Sequence, residues 1–455
     1  MASTYLTRTV TSAGNRKTWT FSCWVKRCTT SANTVGYDSI FSTNISNEGI
    51  NIAFGNGAFT NVGDYFEVTH AAASGGGTTD WSVRTNQLFR DISGWYHLVV
   101  AFDTTQSTTA DRVKIYVNGV EVDKTVTTGP ALNTDYEINN TQQHTIGRWQ
   151  RDGNSYFDGN LGHFHFCDGT AYQASDFGET DSTTGIWKPK TSPSVTYGTN
   201  GFFLKFENSA AMGTDSSGNS NTWAVSGGTL TQTQDTPTNN FPTWNPLDKD
   251  SVASMTNGNL TFTSNPSGGS SNCNMGMYAG KWYFEVKHTQ VNNCWLGIVP
   301  QNLYKFGSDL FPANYTTGIY AGNPNLYLNG VSQGSLGGGL TTNDIIMYAV
   351  DMDNNQIYIG KNGNWNDGLG GGFDQADFSN ATAYSFNRYD DFYVLASVNG
   401  SGSTGYTFQT NFGNGYFGTT AVSSGNADGD GYGVFEYAPP TGYYALCTKN
   451  IASYG

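Results

Sequence analysis

Charge is scarce in this chain: Asp, Glu, Lys and Arg make up 13 % of 455 residues, about half the usual share. What charge there is runs negative, with 22 basic against 36 acidic side chains and a formal net charge of −14. So few cations leave no footprint for a phosphate backbone, and an anionic bilayer repels the chain, so neither nucleic acid nor membrane insertion is expected. No apolar run approaches the roughly 20 residues that cross a bilayer. The opening Met1-Ala2-Ser3-Thr4-Tyr5-Leu6 lacks a basic stretch followed by an apolar one, so no secretory leader is expected. Heptads of Ala, Leu, Glu and Lys are missing, which excludes coiled coils. Six scattered cysteines (Cys23, Cys28, Cys167, Cys273, Cys294, Cys447) include no Cys-x-x-Cys pair. That excludes a small disulfide scaffold and the usual zinc fingers, and predicts buried thiols.

What the chain has is glycine and rings. Glycine supplies 57 residues and aromatics 14 %, so turns are frequent and a core can be buried. Short alternating runs carry the pattern. Trp19, Phe21, Cys23 and Val25 fall on one face of an extended segment, and Val113-Lys114-Ile115-Tyr116-Val117 runs into Asn118-Gly119. Alternation followed by Asn-Gly predicts a β-hairpin. Such runs continue to about Phe166, with Gly201-Phe202-Phe203-Leu204-Lys205-Phe206 as a closing strand. A stretch rich in Ser, Thr, Asn, Gly and Pro follows, and Trp223 and Trp244 are expected to pin it to a domain surface. From Asn259-Leu260-Thr261-Phe262 the strand pattern resumes, through Lys281-Trp282-Tyr283-Phe284-Glu285-Val286 to Ile345-Ile346-Met347-Tyr348. The expected fold is all-β: two antiparallel, jelly-roll-like sandwiches at 1–206 and 258–455, the second with a C-terminal extension, joined by a polar connector at 207–257.

The first part resembles the laminin-G/concanavalin-A-like family. The resemblance rests on Trp19-Thr20-Phe21-Ser22-Cys23-Trp24-Val25, Gly94-Trp95-Tyr96-His97, Arg112 through Gly119, Ile146-Gly147 and Phe157-Asp158-Gly159. The second part is similar to SPRY domains at Gly280 through Val286, Trp295-Leu296-Gly297-Ile298, Asp351-Met352-Asp353-Asn354 and Asn411-Phe412-Gly413. SPRY domains are binding modules, so that likeness implies recognition by loops. The combination, with Trp187-Lys188-Pro189 and the closing Pro439-Pro440-Thr441-Gly442-Tyr443, resembles virion structural proteins of tailed phages of aquatic bacteria. It implies a protein made in the host cytoplasm and assembled onto the virion beside other virion proteins. A fibre- or spike-like appendage recognising host surface glycan is the function implied. Homo-oligomerisation, a trimer first, follows from how such appendages are built. The alternatives are a capsid decoration or connector protein without host binding, and a polysaccharide-degrading enzyme.

Hydrolysis of a glycan takes two carboxylates facing the scissile bond. Glu121-Val122-Asp123 holds two positions of the relevant family's three-acid strand motif and ends in Thr125, so a solvated strand face is expected there. Asp390-Asp391 faces opposite ways if extended. No catalytic residue is therefore assigned, and the chain reads as no enzyme. His163 and His165 share a strand face without an assignable third zinc ligand. No cofactor is expected apart from calcium, which lectin-like sandwiches hold through Asp, Asn and loop carbonyls. Asp152, Asn154 and Asp158, and Asp428 with Asp430, are the oxygen-rich loops of that type. Asx turns explain the same residues without an ion. Glycan recognition uses flat rings beside planar amides and carboxylates. The rings placed in or beside loops are Tyr65, Trp149 and Tyr156 in the first part, and Tyr315, Tyr320, Tyr327, Trp365, Tyr389 and Tyr393 in the second.

Overall fold

The alternating runs are strands. The computed structural model describes residues 3–30, 37–44, 47–55, 63–71, 79–265, 269–291, 293–303, 315–399 and 405–455. In the first unit they are β1 (Tyr5–Thr9), β2 (Thr18–Arg27), β3 (Asp38–Thr43), β4 (Gly49–Phe54), β5 (Tyr65–Ala71), β6 (Thr79–Leu88), β7 (Tyr96–Asp103) and β8 (Val113–Val117). They continue with β9 (Val120–Glu121), β10 (Lys124–Thr128), β11 (Gln143–Ile146), β12 (Gly159–Asp168), β13 (Gly178–Thr180), β14 (Trp187–Pro189), β15 (Phe202–Leu204) and β16 (Ala224–Ser226). An eight-stranded sheet runs β10-β6-β5-β4-β3-β11-β1-β16, and a six-stranded sheet runs β15-β12-β2-β7-β8-β9. Both are antiparallel and enclose one core, where Trp19 stacks on Phe102 at 4.5 Å and Trp81 packs on Tyr136. The Asn118-Gly119 turn closes β8 onto β9 with both residues at positive φ, as a tight hairpin requires.

The second unit repeats the two-sheet plan. Its seven-stranded sheet is ordered Trp244–Lys249, Ser271–Cys273, Tyr393–Asn399, Cys294–Pro300, Thr317–Tyr320, Asn325–Leu328 and Val331–Ser335. The other sheet is built around Thr407–Asn411, Lys281–Gln290, Ile345–Asp351 and Gln356–Lys361. Its inner face carries Phe284, Val286, Tyr348 and Val350. Its outer face is covered as well, because the C-terminal extension lays Phe435, Tyr443, Ala445 and Cys447 on Tyr283, Met347, Ala349 and Trp365. All six cysteines are buried and none forms a disulfide.

The polar connector is the expectation that the structure corrects. The units are Met1–Gln232 with Thr236–Thr238, and Thr233–Asp235 with Asn239–Gly455. Trp223 is not a surface pin: it lies in the first core, edge-on to Phe202 at 4.9 Å, and β16 beside it pairs with β1. Trp244 is wholly buried in the second core, where its Nε1 donates to Thr410 at 2.9 Å. The polar residues that suggested a linker close turns. Asp215 alone accepts from the N–H groups of Phe203, Ser217 and Asn221. A buried Trp removes roughly 150–250 Å² from water, which outweighs its polar neighbours' preference for solvent.

Candidate functional site

Strand pairing decides which side chains of the eight-stranded sheet point away from the core. Ile50, Ile52 and Phe54 of β4 and Phe66 and Val68 of β5 point inward. Alternation then places Asn51 and Ala53, and Tyr65, Glu67 and Thr69, on the outer face. Register sets Ala53 opposite Glu67 on one side and Arg84 of β6 opposite Glu67 on the other. From β3, the Ser39 hydroxyl donates to Asn51 Oδ1.

The segment between β11 and β12 is tied onto the strands of this sheet. It is a short hairpin: Arg148 bridges Tyr156, and the Trp149 N–H donates to Ser155 O at 2.9 Å. The hydroxyls of Ser42 and Thr145 both donate to Arg148 O, at 2.9 and 2.7 Å. The Gln150 N–H donates to Ser42 Oγ at 2.8 Å. Four rings collect there. Tyr37 meets Trp149 edge-on at 4.9 Å, and Tyr156 lies 6.1 Å from Tyr5. The Arg148 guanidinium caps Tyr5 at 3.8 Å, and that of Arg151 sits 5.8 Å over Trp149.

Four buried polar atoms of this region have no hydrogen-bond partner among the described residues: Asn51 Nδ2, Glu67 Oε1, Arg148 Nε and Trp149 Nε1. An unmet buried group costs about 1–3 kcal/mol, so four in one region are a reserve of unused donors and acceptors. Burial pushes the Glu67 carboxyl up to about 8, against the opposing pull of Arg84 and the Ser82 hydroxyl. Glu67 is therefore mostly a neutral acid at pH 7, able to donate as well as accept. Burial, reinforced by Glu67 and Tyr65, also raises the Tyr37 phenol.

A pH dependence follows. The unfolded chain ionises Glu67 near its ordinary 4.5 and the folded chain near 8. Its contribution to stability is therefore complete below about pH 4.5 and is lost as pH rises to about 8. The steepest loss is about 1.4 kcal/mol per pH unit. Urea unfolding of wild type and Glu67→Gln across pH 4.5–8.5 should show the wild type losing stability relative to the variant. Parallel curves would refute the assignment.

Of the rings named from sequence, Trp149 and Tyr156 meet in this region. Tyr65 does not serve as a loop ring: it lies in β5, 4 % exposed, with Arg84 stacked over it at 4.9 Å. In the second unit Tyr320 and Tyr327 come together around Trp295, at 4.6 and 3.9 Å. Tyr315 and Tyr389 pair edge-on at 4.9 Å. Trp365 and Tyr393 are corrections, being buried rather than presented by loops. Trp365 meets Phe378 edge-on at 4.9 Å, within the cluster that the C-terminal extension shares. The Tyr393 hydroxyl accepts from the Tyr389 N–H at 2.9 Å and donates to Asn387 O at 3.3 Å.

The acidic loops take their shape from turn chemistry. Asp152 accepts from the N–H groups of Asn154 and Ser155 and from the Ser155 hydroxyl. The Asp158 N–H donates to Asp38 Oδ1, and burial raises the Asp158 carboxyl. Asp428 accepts from the N–H groups of Asp430, Tyr432 and Ala445 and from Asn450 Nδ2, while Asp430 accepts from the Tyr454 hydroxyl. Among the described residues neither loop gathers three carboxylate, imidazole or thiol ligand atoms. His163 and His165 sit on a bulge of β12, where His165 stacks on Phe203 at 3.9 Å and burial lowers both rings' proton affinity. Glu121 and Asp123 are exposed, and Glu121 pairs with Lys124 at 3.4 Å. Sequence reasoning missed Tyr37, Asn51, Glu67 and Arg84. For Asn51, Glu67 and Arg84 the signal was a polar residue at the outward step of an alternating run, Asn51-Ile52-Ala53-Phe54, Tyr65-Phe66-Glu67-Val68 and Trp81-Ser82-Val83-Arg84; Tyr37 carried none.

Residues 2–175 match the family model described as the Concanavalin A-like lectin/glucanases superfamily. The first unit is thus similar to concanavalin-A-like lectin and laminin-G domains. No curated protein matches the chain. Among solved structures, the SPRY domain of human HERC1 is 17 % identical, covers 37 % of this chain and 96 % of its own, and has a TM-score of 0.30. A human SPRY domain is 17 % identical, with 36 % and 95 % covered and a TM-score of 0.27. The native heptameric SAP-like pentraxin from Limulus polyphemus is 14 % identical, with 37 % and 71 % covered and a TM-score of 0.25.

Proposed function

We propose that the first unit binds carbohydrate at the outer face of its eight-stranded sheet, beneath and beside the Gly147–Phe157 hairpin, without cleaving it. The observation that carries this is the set of unmet buried polar atoms on Asn51, Glu67, Arg148 and Trp149, next to the rings of Tyr37, Trp149 and Tyr156. Sugar hydroxyls supply both donors and acceptors to such atoms, and ring faces take the C–H surfaces of the sugar. The family match over residues 2–175 supports the ligand class. Binding without cleavage is the reading because, among the described residues beside these rings, Glu67 is the carboxyl on the outer face and Asp152, the acid of the hairpin, is held in its own turn.

The finer reading is a phage virion protein, a fibre- or spike-like homo-oligomer that engages host surface glycan beside other virion proteins. Its support is the sequence resemblance and the acidic, weakly charged composition. The test is titration of the full chain with purified host surface polysaccharide by calorimetry, together with an assay for released reducing ends. Saturable heat without reducing ends is expected, and Trp149→Ala or Asn51→Ala should weaken binding about tenfold or more, measured well below the melting temperature because Asn51→Ala also leaves the buried Ser39 hydroxyl unmet. Unchanged affinity in both variants would overturn the site, and reducing-end release would overturn the non-enzymatic reading.

A further inference from the structure

A second cluster lies at one end of the first core. Glu48 stands just before β4, His70 near the end of β5, and Glu137 in the segment leading to β11. One donor atom from each lies within 4.8 Å of the other two. His70 Nε2 is 2.9 Å from Glu137 Oε2 and 3.7 Å from Glu48 Oε1. His70 and Glu137 are 2 % and 5 % exposed, yet neither His70 Nε2 nor Glu137 Oε2 has a hydrogen bond. With the ring proton on Nδ1, Nε2 and the Glu137 oxygen are two lone-pair atoms 2.9 Å apart with no hydrogen between them. Two donors that converge without bonding each other are arranged as ligands of a common centre.

The ring is held for that role. Asp80 Oδ2 lies 3.2 Å from His70 Nδ1 and, as a carboxylate, accepts the Nδ1–H hydrogen bond, which holds the proton on Nδ1 and leaves Nε2 as the lone-pair nitrogen. Trp81 stacks on the imidazole at 5.8 Å, and Tyr136 meets it edge-on at 4.9 Å. Glu48 is the exposed member of the cluster, its side chain 42 % exposed.

We propose that Glu48, His70 and Glu137 bind a divalent transition cation of the zinc class, with Asp80 as the positioning residue behind His70. Tetrahedral zinc with bonds of about 2.0–2.1 Å sets its donors about 3.3 Å apart. The two separations from His70 bracket that value. An imidazole nitrogen with two carboxylates suits zinc rather than calcium or magnesium, which prefer all-oxygen shells. The competing occupant is a proton: an imidazolium among Glu48, Asp80 and Glu137 would satisfy the same charges, and although burial opposes it, Glu137 and Asp80 raise the ring's proton affinity.

The test uses the full chain, stripped with a chelator and titrated with zinc chloride at pH 7.5 by calorimetry and thermal melting. One equivalent should bind and raise the melting temperature. His70→Gln should lose the effect, Glu48→Gln should weaken it more than tenfold, and Asp80→Asn should weaken it about 10- to 100-fold. Glu48→Gln is the control for folding, because that side chain is half exposed. Stripped wild type that neither binds zinc nor changes its melting temperature would overturn the proposal in favour of the proton. Binding retained in both His70→Gln and Glu48→Gln would overturn it as well, by placing the metal elsewhere.

Discussion

Arg27→Ala is expected to destabilise the first unit by about 3–5 kcal/mol, the cost of leaving Asp38 without its cation and Asp64 with only the exposed Arg90. Arg27 has no exposed surface. Its guanidinium donates to Asp64 Oδ1 at 3.0 Å, to Asp38 Oδ2 at 3.4 Å and to the Phe89 carbonyl, and it lies 4.4 Å over the Phe54 ring. It joins β2 of one sheet to β3 of the other through Asp38, so its loss acts on both layers. Burial already pushes Asp38 up to about 7 in spite of Arg27, and without the cation that carboxyl rises further. Packing and charge can be separated. Arg27→Met keeps most of the volume and should remain destabilised, whereas Arg27→Met combined with Asp38→Asn and Asp64→Asn should recover part of the loss. Urea unfolding followed by tryptophan fluorescence measures all three. A loss below about 1 kcal/mol for Arg27→Ala would show that the cluster is solvated, contrary to its burial.

The strands were readable because alternation is a local property: Trp19, Phe21, Cys23 and Val25 need no partner to declare their face. The antiparallel sandwiches followed from the same evidence. The polar connector failed for the opposite reason. Composition averages over a window, and one buried Trp223 or Trp244 decides where a segment packs while contributing little to that average. Rings suffered similarly. Trp365 stands in a Gly-rich stretch that reads as a loop, and what buries it is a cluster drawn from Tyr283, Phe378 and the C-terminal extension. The candidate sites were the least legible part. Asn51 meets Ser39 across β3 and β4, Glu67 faces Arg84 across β5 and β6, and the Trp149 hairpin comes from a third stretch. Glu48, His70 and Glu137 likewise come from three distant segments. Register and sheet order bring them together, and neither is written in any single run of residues.

Glu285→Ala carries the comparable effect in the second unit, an expected loss of about 3–5 kcal/mol, and it tests how the C-terminal extension is held. Glu285 has no exposed surface and accepts four hydrogen bonds. Oε1 takes the Tyr283 hydroxyl at 3.0 Å and the Tyr437 N–H at 2.7 Å. Oε2 takes Asn411 Nδ2 at 3.1 Å and the Glu436 N–H at 3.0 Å. Two of these donors belong to the extension, so one carboxylate joins strands Lys281–Gln290 and Thr407–Asn411 to the segment that covers their outer face. Alanine leaves two main-chain N–H groups and the Tyr283 hydroxyl without this acceptor and the Asn411 amide with only Val434 O, and Phe435 and Tyr443 lose the anchor beside them. Chymotrypsin should then cut after residues such as Tyr437 and Tyr443 much faster than in wild type, before global unfolding. Glu285→Gln should fall between the two, since its NH2 group replaces one acceptor with a donor. Burial outweighs the four bonds and pushes the carboxyl up to about 7, above its ordinary 4.5. The contribution of Glu285 is thus complete below about pH 4.5 and is reduced as pH approaches 7, so the gap between wild type and alanine should be widest under mildly acidic conditions. A C-terminal extension that resists the protease equally in both proteins would mean that the apolar contacts of Phe435, Tyr443 and Cys447 hold it without the carboxylate.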